Sequence, residues 1–99
     1  MTHIGSGGVQ ITTVELKKCF KRDFKKLDPQ LKKLTEDKIE DLYKYPHPPG
    51  LRFEKLSGIR NPDVYTFHVT GNYKVSLEIY GSTASLRRVG NHDLIDRSP

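Results

Sequence analysis

The spacing of apolar positions changes once along this chain, from a helical period to a strand period. From Glu15, the residues Leu16, Phe20, Phe24 and Leu27 recur at three and four with lysines between them, which predicts an amphipathic helix. Asp28–Pro29 supplies a capping carboxylate followed by a proline at the first helical position. Leu31, Leu34, Ile39 and Leu42 then mark one face of a second helix that stops before Pro46. The tight connection predicts an antiparallel helix hairpin. Tyr45–Pro46–His47–Pro48–Pro49–Gly50 cannot extend a helix and reads as a rigid loop. Ahead of the helices, Val9–Thr13 alternates as a short strand, and residues 1–8 read as a flexible tail.

Beyond the loop the period is 2. Tyr65, Phe67 and Val69 alternate with Thr66, His68 and Thr70, and Tyr73, Val75, Leu77 and Ile79 alternate with Lys74, Ser76, Glu78 and Tyr80. A third run, Thr83 to Val89, alternates more weakly, and Gly71–Asn72 and Gly81–Ser82 supply the turns. Cross-strand partners share a face. Placing Val69 opposite Val75 puts Phe67 opposite Leu77 and His68 opposite Ser76, with a three-residue turn at Gly71–Asn72–Tyr73. A two-residue Gly81–Ser82 turn pairs Tyr80 with Thr83, Ile79 with Ala84 and Leu77 with Leu86. The open face then carries the rows His68–Ser76–Arg87, Thr70–Lys74–Val89 and Thr66–Glu78–Ser85. The expected architecture is α+β: a short N-terminal strand and a basic two-helix hairpin packed on a twisted antiparallel sheet, in one domain over residues 9–99.

Composition narrows the classes. Of 99 residues, 34% are hydrophobic and 29% charged, enough for a small core, and no apolar stretch approaches the roughly 20 residues of a membrane span. No basic-then-apolar leader is visible, and the single cysteine, Cys19, cannot form an internal disulfide, so the cytoplasm is the expected compartment. One cysteine and four scattered histidines do not suggest a metal site, and no cofactor is expected. Seventeen Lys and Arg oppose twelve Asp and Glu. The excess concentrates in residues 17–33, where Lys17, Lys18, Lys21, Arg22, Lys25, Lys26, Lys32 and Lys33 face only Asp23 and Asp28. Such a block suits a polyanion, nucleic acid first; a solvated helix face gives the same pattern.

A sheet face holding His68, Lys74, Arg87 and Glu78 has the parts for cleaving a phosphodiester: a base, an acid, and cations for the developing charge. In RNA the adjacent 2′-hydroxyl serves as the nucleophile. A solvent-facing sheet kept soluble by polar residues explains the same pattern. His92, after Gly90–Asn91, sits where a loop can fold back over the sheet's end. Tyr73 at the turn has the shape to stack on a base, or simply to cover the sheet edge. Phe20 and Phe24 read as core, His47 as structural or exposed, and His3 as part of the tail.

The order of these pieces resembles the RelE/ParE superfamily of toxin–antitoxin toxins over roughly residues 9–96. The likeness is carried by Phe20-Lys-Arg-Asp-Phe-Lys-Lys-Leu27, Leu56-Ser-Gly58, Tyr65-Thr-Phe-His-Val-Thr-Gly-Asn-Tyr-Lys74 and Arg88-Val-Gly-Asn-His-Asp-Leu94. Within the superfamily the chain is most similar to the YafQ-type messenger-RNA interferases, with His68, Asn72, Tyr73 and His92 at the positions of that group's histidine, turn acid, turn aromatic and Gly-x-His. The resemblance implies ribosome-dependent cleavage of mRNA by 2′-hydroxyl attack, leaving a 2′,3′-cyclic phosphate, and an antitoxin that wraps the toxin. It implies His92 as general acid, His68 or Glu54 as general base, Lys74 and Arg87 on the phosphate, and Tyr73 stacked on the base. Asn72, Lys55, Arg88, Lys25 and Lys26 complete the expected RNA-binding set. Asn72 departs from the family's acidic residue, Glu54 stands where a histidine often precedes the Leu-Ser-Gly segment, and Lys74 replaces a common arginine. The ParE branch, which inhibits DNA gyrase, generally lacks paired sheet histidines. An inactive, binding-only descendant is the third reading.

Overall fold

The computed structural model describes residues 9–56 and 63–99. The expected tail, His3, and Ser57 and Gly58 of the Leu-Ser-Gly segment lie outside these residues. Among these residues, five strands and three α-helices follow in the order β1 (Thr13–Leu16), α1 (Lys18–Lys25), α2 (Pro29–Leu42), β2 (Glu54–Lys55), β3 (Val64–His68), β4 (Tyr73–Tyr80), β5 (Thr83–Asn91) and α3 (His92–Arg97). They form an α+β fold on one sheet ordered β1-β5-β4-β3-β2.

The helices form as their sequence dictates. Asp28 accepts the Leu31 amide at 2.8 Å and caps α2, with Pro29 at its first position. In α1, Phe20 is buried and stacks with Phe24 at 5.9 Å between ring centroids. Leu42 from α2 joins Phe20 in the core, and Phe24, Leu27, Leu34 and Ile39 pack on its margin.

The first strand is displaced from its expected place. Val9–Ile11 is not a strand, although Ile11 is buried, and Thr13–Leu16 instead pairs parallel with β5, Thr13 opposite Thr83 and Leu16 opposite Leu86. Glu15 and Leu16, expected to open the first helix, are therefore strand residues. Pairing along the free edge of β5 supplies hydrogen bonds that local spacing does not reveal, and it makes the sheet mixed rather than wholly antiparallel. The short strand β2 and the helix α3 were not expected.

Register differs at two places, each with a physical cause. In the β3–β4 pair Phe67 faces Val75 and His68 faces Lys74, two residues from the expected pairing. A two-residue slip leaves every side chain on the same face, so the hydrophobic pattern cannot distinguish the two registers. The turn decides: the Thr70 hydroxyl accepts the Asn72 and Tyr73 amides at 3.1 Å each, and Val69 N donates to Tyr73 O at 2.8 Å, closing the hairpin over Thr70–Gly71–Asn72, one residue earlier than expected. In the β4–β5 pair, Tyr80–Thr83, Ile79–Ala84 and Leu77–Leu86 match as expected, around Gly81 at φ 61°. Then the register shifts, and Ser76 meets Arg88 with Arg87 left as an extra residue. Leu86 and Val89 are both core residues at an odd separation, and only a bulge turns both inward. The expected rows thus become Thr66–Ser76–Arg88, His68–Lys74–Gly90 and Val64–Glu78–Ser85.

Candidate active site

The polar face of the sheet is not left open. Thr66, Lys74, Ser76, Glu78 and Ser85 are all buried. The chain returns over them after β5: α3 packs on β4 and β5, and the Ser76 hydroxyl and Arg87 Nε both donate to the Pro99 carbonyl oxygen at 3.1 Å. A face expected to be solvated is a second, polar layer.

Two clusters lie within that layer. At the β3–β4 turn end, Lys74 Nζ donates to Asp96 Oδ1 at 2.9 Å, and His92 Nδ1 lies 3.2 Å from Asp96 Oδ2. The His92 amide donates to the Asn72 carbonyl at 2.7 Å, which pins the start of α3 to the turn. Asn91 caps the same helix by accepting the Leu94 amide at 2.9 Å. Gly90 permits the close return of α3, because a Cβ there would lie 2.8 Å from Leu94 Cδ2. The His92 side chain is 49% exposed and so reachable by a substrate. His68 stands opposite Lys74 on β3. Its Nδ1 is buried without a hydrogen-bond partner among the described residues. Burial, then the Arg52 and Lys74 cations, hold its pKa below the ordinary histidine value, with Glu54 pulling the other way. Glu54, paired with Thr66, lies on the same face. Hydrogen bonds from Lys74 and then His92 keep the Asp96 carboxyl below its usual range.

The second cluster sits toward β1. Glu78 is bonded by the Tyr80 hydroxyl and by Arg87, and Lys17 is 3.8 Å away. Burial pushes the Glu78 carboxyl up, and the Tyr80 bond with the Arg87 and Lys17 cations more than offsets it, leaving the pKa low. An open cleft of about 350 Å³ borders this cluster, lined by Lys17, Lys18, Cys19, Glu78, Arg87, Arg88 and Pro99.

The structure therefore brings His68, Lys74, His92, Asn72 and Glu54 to one end of the sheet and directs other expected site residues elsewhere. Arg87 is committed to Glu78 and Pro99 because the bulge displaces it from the histidine row. Arg88 is bidentate to Asp23 on α1, at 3.0 and 3.2 Å. Lys55 pairs with Asp63 at 3.2 Å, and Tyr73 is half-buried against the core opposite Asn91. Lys25 and Lys26 are exposed on and just after α1. Lys74 is 7% exposed and already holds a carboxylate, so it does not stand free for a phosphate. Asp96 and Arg52 were not anticipated. The i,i+4 spacing of His92 and Asp96 signals their contact only once α3 is known to be a helix. Among the described residues, no three His, Cys, Asp or Glu side chains converge in a group suited to a metal ion.

No protein-family model matches the sequence, and comparison with curated proteins gives no match. Solved structures do match. A RelB–RelE antitoxin–toxin complex from Methanococcus jannaschii aligns at 27% identity and TM-score 0.65, covering 86% of this chain and 99% of that one. A copper-bound mutant toxin from Helicobacter pylori aligns at 23% identity and TM-score 0.64, covering 82% and 94%. YafQ from E. coli aligns at 15% identity and TM-score 0.64, covering 87% and 98%. This chain has the fold shared by RelE and YafQ.

Proposed function

We propose that this chain, built on the fold of the RelE and YafQ toxins, is the toxin of a toxin–antitoxin pair and an endoribonuclease that cuts mRNA at the ribosome. The single observation that carries the reading is the pair of histidines at one end of the sheet, held in opposite electrostatic surroundings. His68 is partly buried beside Arg52 and Lys74, which favours the neutral imidazole a general base needs. His92 is exposed, and its Nδ1 lies 3.2 Å from Asp96 Oδ2, which engages that nitrogen and leaves Nε2 to serve a leaving oxygen as a general acid must. In the step this supports, His68 takes the proton of a ribose 2′-hydroxyl and O2′ attacks the adjacent phosphorus. His92 gives its proton to the departing 5′-oxygen, and a 2′,3′-cyclic phosphate remains. Ordered placement of the message by the ribosome supplies the proximity that a free strand lacks. The antitoxin–toxin complex among the structural neighbours supports a cognate antitoxin as partner, and the lysines of α1 suit an acidic or nucleic-acid surface.

The test is cell-free translation of a defined message with the purified, antitoxin-free protein, mapping 5′ ends by primer extension. Codon-registered ends should appear, and His92→Ala should slow their formation by about 10²- to 10⁴-fold, the span usual for loss of a general acid. No cleavage by folded protein overturns the ribonuclease reading.

A further inference from the structure

The Lys74–Asp96–His92 chain suggests a division of labour in which the lysine does not touch substrate. We infer that Asp96 is the positioning residue for His92, and that Lys74 serves that carboxylate instead of the scissile phosphate. The inference rests on the ribonuclease reading for its catalytic meaning but on geometry for its content. The two carboxylate oxygens of Asp96 are divided, Oδ1 at 2.9 Å from the lysine ammonium and Oδ2 at 3.2 Å from His92 Nδ1. An ionised carboxylate only accepts hydrogen bonds, so the proton on a neutral His92 must sit on Nδ1. Nε2 is then left as the nitrogen that works on substrate, and the ring is fixed in plane as carboxylates fix imidazoles in hydrolytic triads and metal sites.

Two further contacts hold the unit: the His92 amide is bonded to Asn72 O at 2.7 Å and Asn91 caps the helix, while Lys74 comes from strand β4 and not from a loop. Asp93 is the other acidic group facing the ring. Its Oδ1 is 3.7 Å from Nε2, beyond hydrogen-bond reach, and its side chain is 83% exposed, so it does not compete for the ring's orientation. Lys74 has a second effect: its positive charge lies opposite His68 and raises the cost of protonating that ring. One lysine thus disfavours protonation of one histidine while, through Asp96, it helps orient the other.

The first measurement needs no variant. Long-range ¹H–¹⁵N spectra of wild-type protein report the neutral tautomer of His92, expected as Nδ1–H; Nε2–H overturns the inference. Asp96→Asn should then release that tautomer and lower the cleavage rate about 10- to 100-fold, as loss of a positioning carboxylate does elsewhere. Asp96→Glu should recover part of the rate. If wild type cleaves, His92→Ala does not, and Asp96→Asn leaves both rate and tautomer unaltered, the ribonuclease reading survives and the positioning role falls. If wild type never cleaves yet shows the Nδ1–H tautomer that Asp96→Asn abolishes, the positioning contact stands and the ribonuclease reading falls.

Discussion

Replacing Asp23 by alanine removes three bonds at once from the junction between α1 and the bulge of β5. Arg88 donates to its carboxylate through Nε at 3.0 Å and through a terminal nitrogen at 3.2 Å, and the Val89 amide donates at 3.3 Å. The side chains are 29% and 13% exposed, so this pair lies between a surface ion pair and a buried one. Stranding one member of a fully buried pair costs about 3–5 kcal/mol, and an exposed pair nets about 0–1 kcal/mol. Arg88 can rehydrate in part after Asp23→Ala, so the expected loss is about 2–3 kcal/mol. For a domain of this size that lowers Tm by roughly 10–20 °C. Arg88→Ala should cost less, because Asp23 keeps the Val89 amide. Urea unfolding of wild type, both single variants and the double variant gives the coupling, expected at about 1–2 kcal/mol and little changed by salt. A coupling under about 0.5 kcal/mol, or one that vanishes at high salt, refutes the reasoning and returns Arg88 to the free cations. The consequence for function is direct. Arg88→Ala protein kept folded at low temperature should cleave about as well as wild type, as a structural residue would and an RNA contact would not.

Burial lowers the pKa of both His47 and His68 below the ordinary histidine value, and His47 Nε2 accepts the Val9 amide, which only the unprotonated nitrogen can do. The unfolded chain therefore binds protons that the fold refuses. Stability from these groups is complete above about pH 6.5 and falls as pH drops toward their folded pKa values. The urea midpoint should decline between about pH 7 and about pH 5, above the range where Glu78 and Asp96 protonate, and a flat midpoint there contradicts the assignment. Gly90→Ala places a methyl 2.8 Å from Leu94 Cδ2 and should cost about 1 kcal/mol in thermal denaturation. Adding Leu94→Ala should leave no further penalty from the methyl; full additivity of the two losses would show that Leu94 is not what it meets.

Much of the fold was legible because burial imposes period on sequence. The α2 boundaries followed from Asp28–Pro29 and the proline loop, and the second hairpin followed from Gly81–Ser82 with Leu77 facing Leu86. What escaped has a shared physical character: it depends on pairing between distant segments or on one-residue geometry. β1 is strand because the edge of β5 is free to pair, although Leu16 lies in phase with the helix behind it. The β3–β4 register escaped because a slip of two preserves every face, and the arbiter was a single hydroxyl, Thr70. The bulge was foreshadowed by the weak alternation of Thr83–Val89, since Leu86 and Val89 cannot both face inward on a regular strand.

Those same two departures rearrange the candidate site. The sequence pattern set His68 beside Ser76 and Arg87, a histidine and a guanidinium around one phosphate. The slip instead brings Lys74 opposite His68, and the bulge sends Arg87 to Glu78 and Arg88 to Asp23. A site with Lys74 and Arg87 on the phosphate becomes one whose strand cations are already paired with carboxylates. Charge stabilisation in the proposed reaction then falls chiefly on His92 as a proton donor, with the ribosome's placement of the message supplying the rest of the rate. This explains why the return of α3 matters more than any strand cation. Without the Gly90 approach and the Asn72–His92 bond, α3 would not bring Asp96 to Lys74 or His92 to the turn end, and the sheet would keep one partly buried histidine with no acid to complement it.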